Sequence, residues 1–343
     1  MKLIQSGPRD AKVIVVGEAP GKNEAEKGIP FVGAAGELLD RAFDQANRAL
    51  GRIVLRHNDV FITNICHVQP PGNDFDYFIK PKPRPELMLG IIQLKKDIEE
   101  IKPNLVIALG AWPLKILCGK NGISKWRGSI LESTLVKGQK VVATFHPASI
   151  FRMFDNHGIL QTDIRRCAEE AGSREILLPQ RTFYIAPSGD VLATLVAELA
   201  NSEWLSIDIE CFERSDGSWE ISCVGFSDRA DRAVVIPWRS PGGPQAITIL
   251  CGCSAAKIFQ NGQFDITVLE DNHVRVNNTR WDTMYAHHSI YPECAGAEDE
   301  IKKMQGRKGS SKSALGKGLA YQTSVYTKEP FYKDDGKLWK QVI

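Results

Sequence analysis

Short buried-strand patterns alternate with helical patterns along the first half of this 343-residue chain, and each strand pattern runs into a loop. Lys12–Val16 is a β-branched run that ends at Gly17, and Leu105–Leu109 runs into Gly110. Val141–Thr144 is a further strand pattern. Strands that alternate with helices predict a parallel sheet, with functional residues in the loops at the carboxyl ends of the strands.

The segments between these strands complete the pattern. Helical spacing covers residues 37–50, residues 59–66 read as another strand, and the prolines from residue 70 to 85 mark a long loop. Residues 88–101 predict an amphipathic helix that ends before Pro103; its apolar face is expected to carry Met88, Ile91, Ile92 and Ile98.

The length of the chain favours two domains. Helical periodicity ends near Glu170 and a new pattern starts at Thr182, so we expect domains at 1–171 and 181–343, joined by a linker at 172–180. The second domain reads as mixed α/β, with a helix at 190–200 and strands at 204–209, 221–227 and 233–237.

Composition is that of an ordinary globular protein, with 43% hydrophobic and 24% charged residues. A net charge of +2 means that any contact with nucleic acid must come from local basic patches. The eight cysteines are scattered and are expected to be reduced thiols. We find no leader and no apolar run that could span a bilayer, so we expect a cytoplasmic protein without membrane contact.

Four loop segments of the first half carry unusual residues: Gly17–Gly21, Pro30–Gly33, Thr63–Ile65 and His146–Arg152. Each one alone is a weak signal, because Gly-rich turns after strands occur in many nucleotide-binding folds. Together and in this order they resemble the motifs of the family 4 uracil-DNA glycosylases, over roughly residues 12–170. The resemblance implies excision of uracil from DNA in a pocket for a flipped base.

The same resemblance implies a role for each position. Phe31 would stack on the uracil, Asn64 would hydrogen-bond its edge, and His146 would face its carbonyl as the negative charge develops. Glu18, with Glu24 as a helper, would position or activate the attacking water. The uracil-binding set is completed by Ala19 and Gly21, and Arg152 would contact a DNA phosphate.

The sequence departs from this family at its iron-sulfur ligands. No cysteine precedes Cys66, Val68 stands where the family has a cysteine, and none lies between Cys66 and Cys118. We therefore predict that the chain holds no iron-sulfur cluster, and that Cys66 and Cys118 are buried thiols.

A second constellation lies in the other half of the chain. Alternation in a strand puts Asp208 and Glu210 on one face, with Ile209 directed into the core, and Asp265 follows in the segment 261–265. With residues 281–284, these positions resemble the proofreading 3′–5′ exonuclease domain of family A DNA polymerases, which has a ribonuclease H-like fold. The resemblance implies that Asp208, Glu210 and Asp265 are catalytic and bind Mg²⁺ or Mn²⁺. We expect Asp282 to be structural.

The third exonuclease motif of that family is missing. None of the seven tyrosines has an aspartate four residues later, and none of the seven histidines has one five residues later. Residues 332–335 read as an exposed acidic turn, and residues 301–317 as a solvated basic loop. Either the exonuclease site is incomplete or the chain is part of a longer protein. The pairing of domains resembles the N-terminal part of certain phage DNA polymerases, which implies a C-terminal polymerase domain as a partner.

Three functions therefore stand side by side. The first is an enzyme that removes uracil or trims 3′ ends of DNA. The second is a catalytically silent module that senses uracil or holds template for a polymerase. The third, a nucleotide-binding oxidoreductase, depends only on residues 17–21 and ranks last, because no Gly-x-Gly-x-x-Gly follows the first strand.

Overall fold

A computed structural model describes residues 2–290 and 318–331, which fall into two compact units. The first unit runs to Leu178 and includes the described residues from Ala320 onward, whereas the second begins at Pro179. The sequence placed all residues from 181 onward in one domain, so the position of 320–331 differs from that expectation. The predicted basic loop at 301–317 and acidic turn at 332–335 lie outside the described residues.

The first unit is built on a five-stranded sheet in the order β2-β1-β3-β5-β4. Its strands are β1 (Val13–Gly17), β2 (Phe61–Asn64), β3 (Leu105–Leu109), β4 (Ile130–Glu132) and β5 (Lys140–Thr144). All neighbouring pairs are parallel except β4 with β5, which is antiparallel. The parallel sheet predicted from the sequence is confirmed, and the short edge strand β4 was not predicted.

Both faces of this sheet are covered by helices, which gives three layers. Within the described residues the helices are α1 (Lys22–Lys27), α2 (Ala34–Leu50), α3 (Pro85–Ile101), α4 (Ala111–Cys118), α5 (Ile123–Trp126), α6 (Pro147–Ile150) and α7 (His157–Glu170). Val13 and Val15 of β1 pack in the core beside α2 and α7, whereas Ile14 and Val16 pack in the core beside α3 and α4. Burial on both faces explains why the strands read as continuous apolar runs.

Helix α3 is rotated relative to the expected apolar face. Ile98 is buried as expected, but Met88 and Ile92 are 47% and 62% exposed, and Leu87 and Leu94 are buried in their place. The reason lies at Gly90, where a Cβ atom would stand 2.3 Å from the carbonyl oxygen of Ile65. The backbone of α3 approaches the end of β2 at this glycine, and that contact turns Met88 and Ile92 outward.

The second unit has a six-stranded mixed sheet in the order β11-β10-β7-β8-β9-β6. Its strands are β6 (Thr182–Ile185), β7 (Trp204–Glu213), β8 (Trp219–Arg229), β9 (Arg232–Pro237), β10 (Ala256–Phe259) and β11 (Thr279–Asp282). Its helices, within the described residues, are α8 (Gly189–Ala200), α9 (Gly243–Gly252), α10 (Gly262–Asp271) and α11 (Thr283–Ile290). Strands β7, β8 and β9 are antiparallel neighbours, and β10 runs parallel to β7. The predicted α/β fold class is confirmed.

Helix α12 (Leu319–Tyr326) precedes a short extended stretch that ends the described chain at Phe331. From Ala320 onward these residues belong to the first unit.

Candidate active site

The carboxyl ends of the parallel strands of the first unit surround a cavity of about 840 Å³. Every position that the sequence assigned to the uracil site lines it: Glu18, Ala19, Gly21, Glu24, Phe31, Asn64, His146 and Arg152. The four motif segments are far apart in the sequence and meet because parallel strands end at the same edge of the sheet. The cavity therefore unites all the predicted residues of this site.

Two glycines allow the side chains to approach one another. A Cβ atom on Gly17 would lie 2.4 Å from Asn64 Oδ1 and 2.9 Å from the ring of Phe31. Gly110 has a φ of +102°, and a Cβ atom there would lie 2.8 Å from a carboxylate oxygen of Glu18. A side chain at either position would force the catalytic candidates apart.

One wall of the cavity is aromatic. The rings of Phe31 and His146 stack with their centroids 5.6 Å apart and an interplanar angle of 28°. Phe31 is held with a φ of +53°, a left-handed conformation that is unusual for a large residue. Such strain is found where the surrounding structure requires a particular side-chain direction, here toward His146.

The charge state of His146 follows from its surroundings. Burial, together with the nearby positive charge of Arg152, lowers the pKa of His146 to about 4. Its Nδ1 accepts a hydrogen bond from the backbone N–H of Ala148 at 3.2 Å, which assigns the proton of the neutral ring to Nε2. At neutral pH the ring is therefore an uncharged donor.

Glu18 has the opposite perturbation. Burial raises the pKa of its carboxyl group, although a hydrogen bond from the backbone of Trp112 and the charge of Arg152 partly offset this effect. Trp112 lies in the first turn of α4, the helix that begins directly after Gly110. A carboxylate with a raised pKa is a stronger base than an ordinary one, so Glu18 is suited to accept a proton from water.

Sequence reasoning missed Asn156. This residue lines the same cavity, is only 4% exposed, and its Oδ1 has no hydrogen-bond partner within the part of the chain that the structure describes. A buried acceptor without a partner is unfavourable, and in a cavity it is available to a ligand. Nothing in the local sequence marks this asparagine, because its importance depends on burial created by other segments.

The carboxylates of the second unit form a separate cluster. Asp208 and Glu210 lie on the same exposed face of β7, with Ile209 buried between them, as predicted. Burial and then the charges of Asp208, Asp282 and Glu210 raise the pKa of Asp265 to about 7. Asp265, on α10, thus lies within electrostatic range of both acidic residues of β7.

Asp282 holds the start of α10, the helix that carries Asp265. Its carboxylate accepts hydrogen bonds from the backbone N–H groups of Asn261 at 3.1 Å, Gly262 at 2.7 Å and Met284 at 2.8 Å. These bonds tie the end of β11 to the start of α10. Their number agrees with the structural role expected for Asp282.

The cluster has the chemistry of a site for a divalent cation, since carboxylate oxygens are the ligands that Mg²⁺ prefers. The mutual repulsion that raises the pKa of Asp265 is the repulsion that a bound cation would relieve. Over residues 2–290 and 318–331, however, no three His, Cys, Asp or Glu side chains are close enough together to hold a metal ion as they stand. The residues have the ligand type and the negative charge that a divalent cation requires. Their side chains would have to move closer together to bind it.

The cysteines of the described chain are free, and Cys66 and Cys118 are buried, as expected. Burial raises the pKa of both thiols, that of Cys118 to about 12. No helix among the described residues is long and apolar enough to cross a membrane.

Comparison with known proteins identifies the first unit. Residues 4–170 match the model of the uracil DNA glycosylase superfamily. A type-4 uracil-DNA glycosylase of Archaeoglobus fulgidus is 32% identical over 175 residues, which cover 49% of this chain and 81% of that protein. The corresponding enzyme of Saccharolobus solfataricus is 33% identical over 191 residues, which cover 54% of this chain and 81% of that protein.

The chain belongs to the uracil-DNA glycosylase superfamily. This membership confirms the predicted family, the hydrolase class and a general role in DNA processing. A DNA polymerase of Bacillus phage SP01 is also similar, at 27% identity over 146 residues, which cover 43% of this chain and 14% of the polymerase.

Solved structures align weakly. RNase D of Escherichia coli aligns at 16% identity and a TM-score of 0.28, covering 47% of this chain and 44% of that one. The catalytic core of RRP6 from Trypanosoma brucei aligns at 16% identity and a TM-score of 0.29, covering 43% of this chain and 47% of that one. Alignments this weak assign no role to the second unit.

Proposed function

We propose that the first unit excises uracil from DNA by hydrolysis of the N-glycosidic bond. The observation that carries this proposal is the meeting of Phe31, Asn64, Glu18 and a neutral His146 in one cavity. A flipped base needs a stacking ring, an amide that reads its edge, and a donor for the departing anion, and the cavity supplies all three.

In the proposed reaction, water forms a bond to the sugar C1′ while the bond from C1′ to uracil N1 breaks. The electron pair of the broken bond leaves with uracil, and the Nε2–H of His146 donates a hydrogen bond to the carbonyl oxygen where negative charge develops. Glu18 accepts the proton that the water loses, with Glu24 as a helper. Ala19 and Gly21 contact the base.

Contact with the DNA strand would come from the loop after α6. Arg152 would contact a phosphate, and the neighbouring Phe151 and Phe154 are 60% and 75% exposed. Exposed aromatic side chains beside a base-flipping cavity can fill the space that the base leaves in the stack.

The test is release of free uracil from an oligonucleotide with one uracil, under single-turnover conditions. The intact protein should release uracil, and His146→Ala should be slower by about 100-fold, the usual cost of removing a donor to a developing anion. His57→Ala is the matched control, because His57 pairs with Asp40 and does not line the cavity. If the intact protein binds uracil-containing DNA but releases nothing, the alternative of a silent uracil sensor replaces this proposal.

For the second unit we propose a metal-dependent 3′–5′ exonuclease. Asp208, Glu210 and Asp265 would hold Mg²⁺ or Mn²⁺, and the bound cations would activate water and stabilise the leaving oxygen. Trimming of a 5′-labelled single strand should require Mg²⁺ or Mn²⁺ and be lost in Asp208→Asn. Asp216→Asn is the control, because Asp216 bonds only within its own turn to Ser218. Absence of trimming with either cation would contradict this proposal.

The similarity to a phage DNA polymerase supports a third, coarser proposal: that both units serve a polymerase domain during replication or repair. Primer extension in the presence of added polymerase, on templates with and without uracil, would test it. Extension that is the same with and without this protein would reject it.

A further inference from the structure

The segment from Ala320 to Phe331 covers a buried polar cluster of the first unit. Arg127 and Asp163 are each 1% exposed. The Nε of Arg127 donates to both carboxylate oxygens of Asp163, at 3.0 and 2.8 Å, and its Nη1 donates to Ser324 Oγ at 2.9 Å. Ser324 in turn donates to the carbonyl oxygen of Tyr321 at 2.6 Å.

A second guanidinium group has a similar arrangement. Arg166 donates to the carbonyl oxygen of Gly128 at 2.8 Å and to that of Val325 at 3.3 Å. A guanidinium group carries five N–H donors, and its burial requires acceptors for them. The segment therefore supplies an acceptor to each of two arginines, through Ser324 and Val325.

The end of the segment makes further contacts. The ring of Phe331 packs edge-on against Trp126, with the centroids 5.3 Å apart, and its backbone N–H donates to Ser129 Oγ at 3.2 Å. Lys328 donates to Glu170 at 2.8 Å. Burial alone would raise the pKa of Glu170, but its bonds to Lys328 and Lys140 lower that pKa.

Two of these contacts lead to the uracil cavity. Trp126 belongs to α5, and residues Ile123 and Ser124 of the same helix line the cavity. Asp163 accepts a hydrogen bond from Thr144 Oγ1 at 2.7 Å, and Thr144 is the last residue of β5, two positions before His146. The segment thus contacts α5, which forms part of the cavity wall, and the Arg127–Asp163 pair, which is bonded to the end of the strand that leads to His146.

We propose that residues 320–331 are a positioning element of the uracil site, in which Ser324 and Phe331 are positioning residues for α5 and for His146. The family model stops at residue 170, so this segment lies outside the part of the chain that the superfamily explains. The inference rests on the proposed excision of uracil. It adds that excision requires a segment that follows the second unit in the sequence but belongs to the first.

The experiment compares Ser324→Ala and Phe331→Ala with the intact chain in single-turnover release of uracil. In both variants the rate constant should fall about tenfold, because small displacements of catalytic groups slow the reaction. The amplitude, which is the fraction of substrate that is finally cleaved, should stay unchanged. Thr327→Ala is the matched control in the same segment, since the hydroxyl of Thr327 bonds, among the described residues, to the carbonyl of Thr323 and the N–H of Glu329 within its own turn. Hydrogen exchange of the amides of residues 123–129 is measured in the same samples.

The outcomes separate this inference from the proposed function. If the intact chain excises uracil and the two variants match it in rate constant, the segment does not position the site. A lower amplitude at an unchanged rate constant means that the segment only stabilises the fold, which also overturns the inference. If the intact chain excises nothing, the proposed function fails, and hydrogen exchange tests the inference by itself. Faster exchange of the amides of residues 123–129 in Ser324→Ala than in the intact chain supports a role of the segment in positioning α5. Unchanged exchange rejects that role.

Discussion

At the scale of single residues, His146 and Glu18 have perturbed protonation for the same reason. Both line the same cavity and are partly buried, and burial disfavours the charged form of each, so the pKa of the imidazole falls and that of the carboxyl group rises. The pair thus combines a neutral donor with a carboxylate whose raised pKa makes it a better proton acceptor than an ordinary glutamate, a combination that is typical of active sites.

A pH prediction follows from these directions. Excision should decline on acidification, because protonation of Glu18 removes the base, and its raised pKa moves this decline above the pH expected for an ordinary glutamate. His146, with a pKa of about 4, should cause no change in the excision rate between pH 5.5 and 8. A histidine with the ordinary pKa of about 6.5 would titrate within this range.

Single-turnover rates in intact protein and in Glu18→Gln measure both effects. In Glu18→Gln the residual rate should be flat across this pH window. A residual rate in that variant that still falls below pH 6.5 would contradict a neutral, buried His146.

Asn156 allows a second prediction at this scale. If its unpartnered Oδ1 accepts a hydrogen bond from bound substrate, Asn156→Ala should weaken binding of uracil-containing DNA about tenfold, the usual effect of one lost hydrogen bond, while Tm stays unchanged. Asn156→Asp, which keeps an acceptor, is the control. Fluorescence anisotropy in a His146→Ala background measures the affinity without release of uracil. A lower Tm with unchanged affinity would show that Asn156 serves only the fold.

At the scale of elements, the contact between α3 and β2 decides which residues the helix buries. Spacing alone placed Met88 and Ile92 on the apolar face with Ile98, but Gly90 lets the backbone approach Ile65. Ile98 stays buried, and Leu87 and Leu94 are buried in place of Met88 and Ile92. An apolar pattern identifies a helix reliably, whereas its rotation depends on the surface against which it packs.

Gly90→Ala should therefore destabilise the first unit by about 2 kcal/mol, a typical cost of overpacking, because the added methyl group meets backbone that cannot move aside. Gly172→Ala is the control, since nothing lies within 4 Å of the Cβ position there. Urea unfolding followed by circular dichroism measures the difference. Equal stability of the two variants would refute the close approach.

At the scale of the whole molecule, the chain contains two chemically distinct sites, each within its own unit. The cavity of the first unit combines a neutral imidazole with aromatic, amide and both acidic and basic side chains, whereas the second site is a cluster of carboxylates. Neither site uses residues of the other.

Single substitutions should accordingly separate the two activities. His146→Ala should abolish most uracil release and leave trimming of 3′ ends within twofold of the intact chain, and Asp265→Asn should do the reverse, because mutations at sites that share no partners act independently. Both activities are measured on one preparation of each variant. Loss of both activities from either substitution would show that the sites depend on each other.

The sequence by itself determined that the first unit has a parallel sheet, with strands corresponding to β1, β2, β3 and β5, and which residues lie at their carboxyl ends. These features follow from local periodicity and from the rule that parallel strands end at one edge. Phe31, Asn64 and His146 could be placed together on that basis. Only the tertiary structure decided the rotation of α3, the burial of Asn156, the directions in which the pKa values of His146, Glu18 and Asp265 shift, and the place of residues 320–331 in the first unit. Each of these depends on burial or on contacts between segments far apart in the chain, which local patterns do not encode.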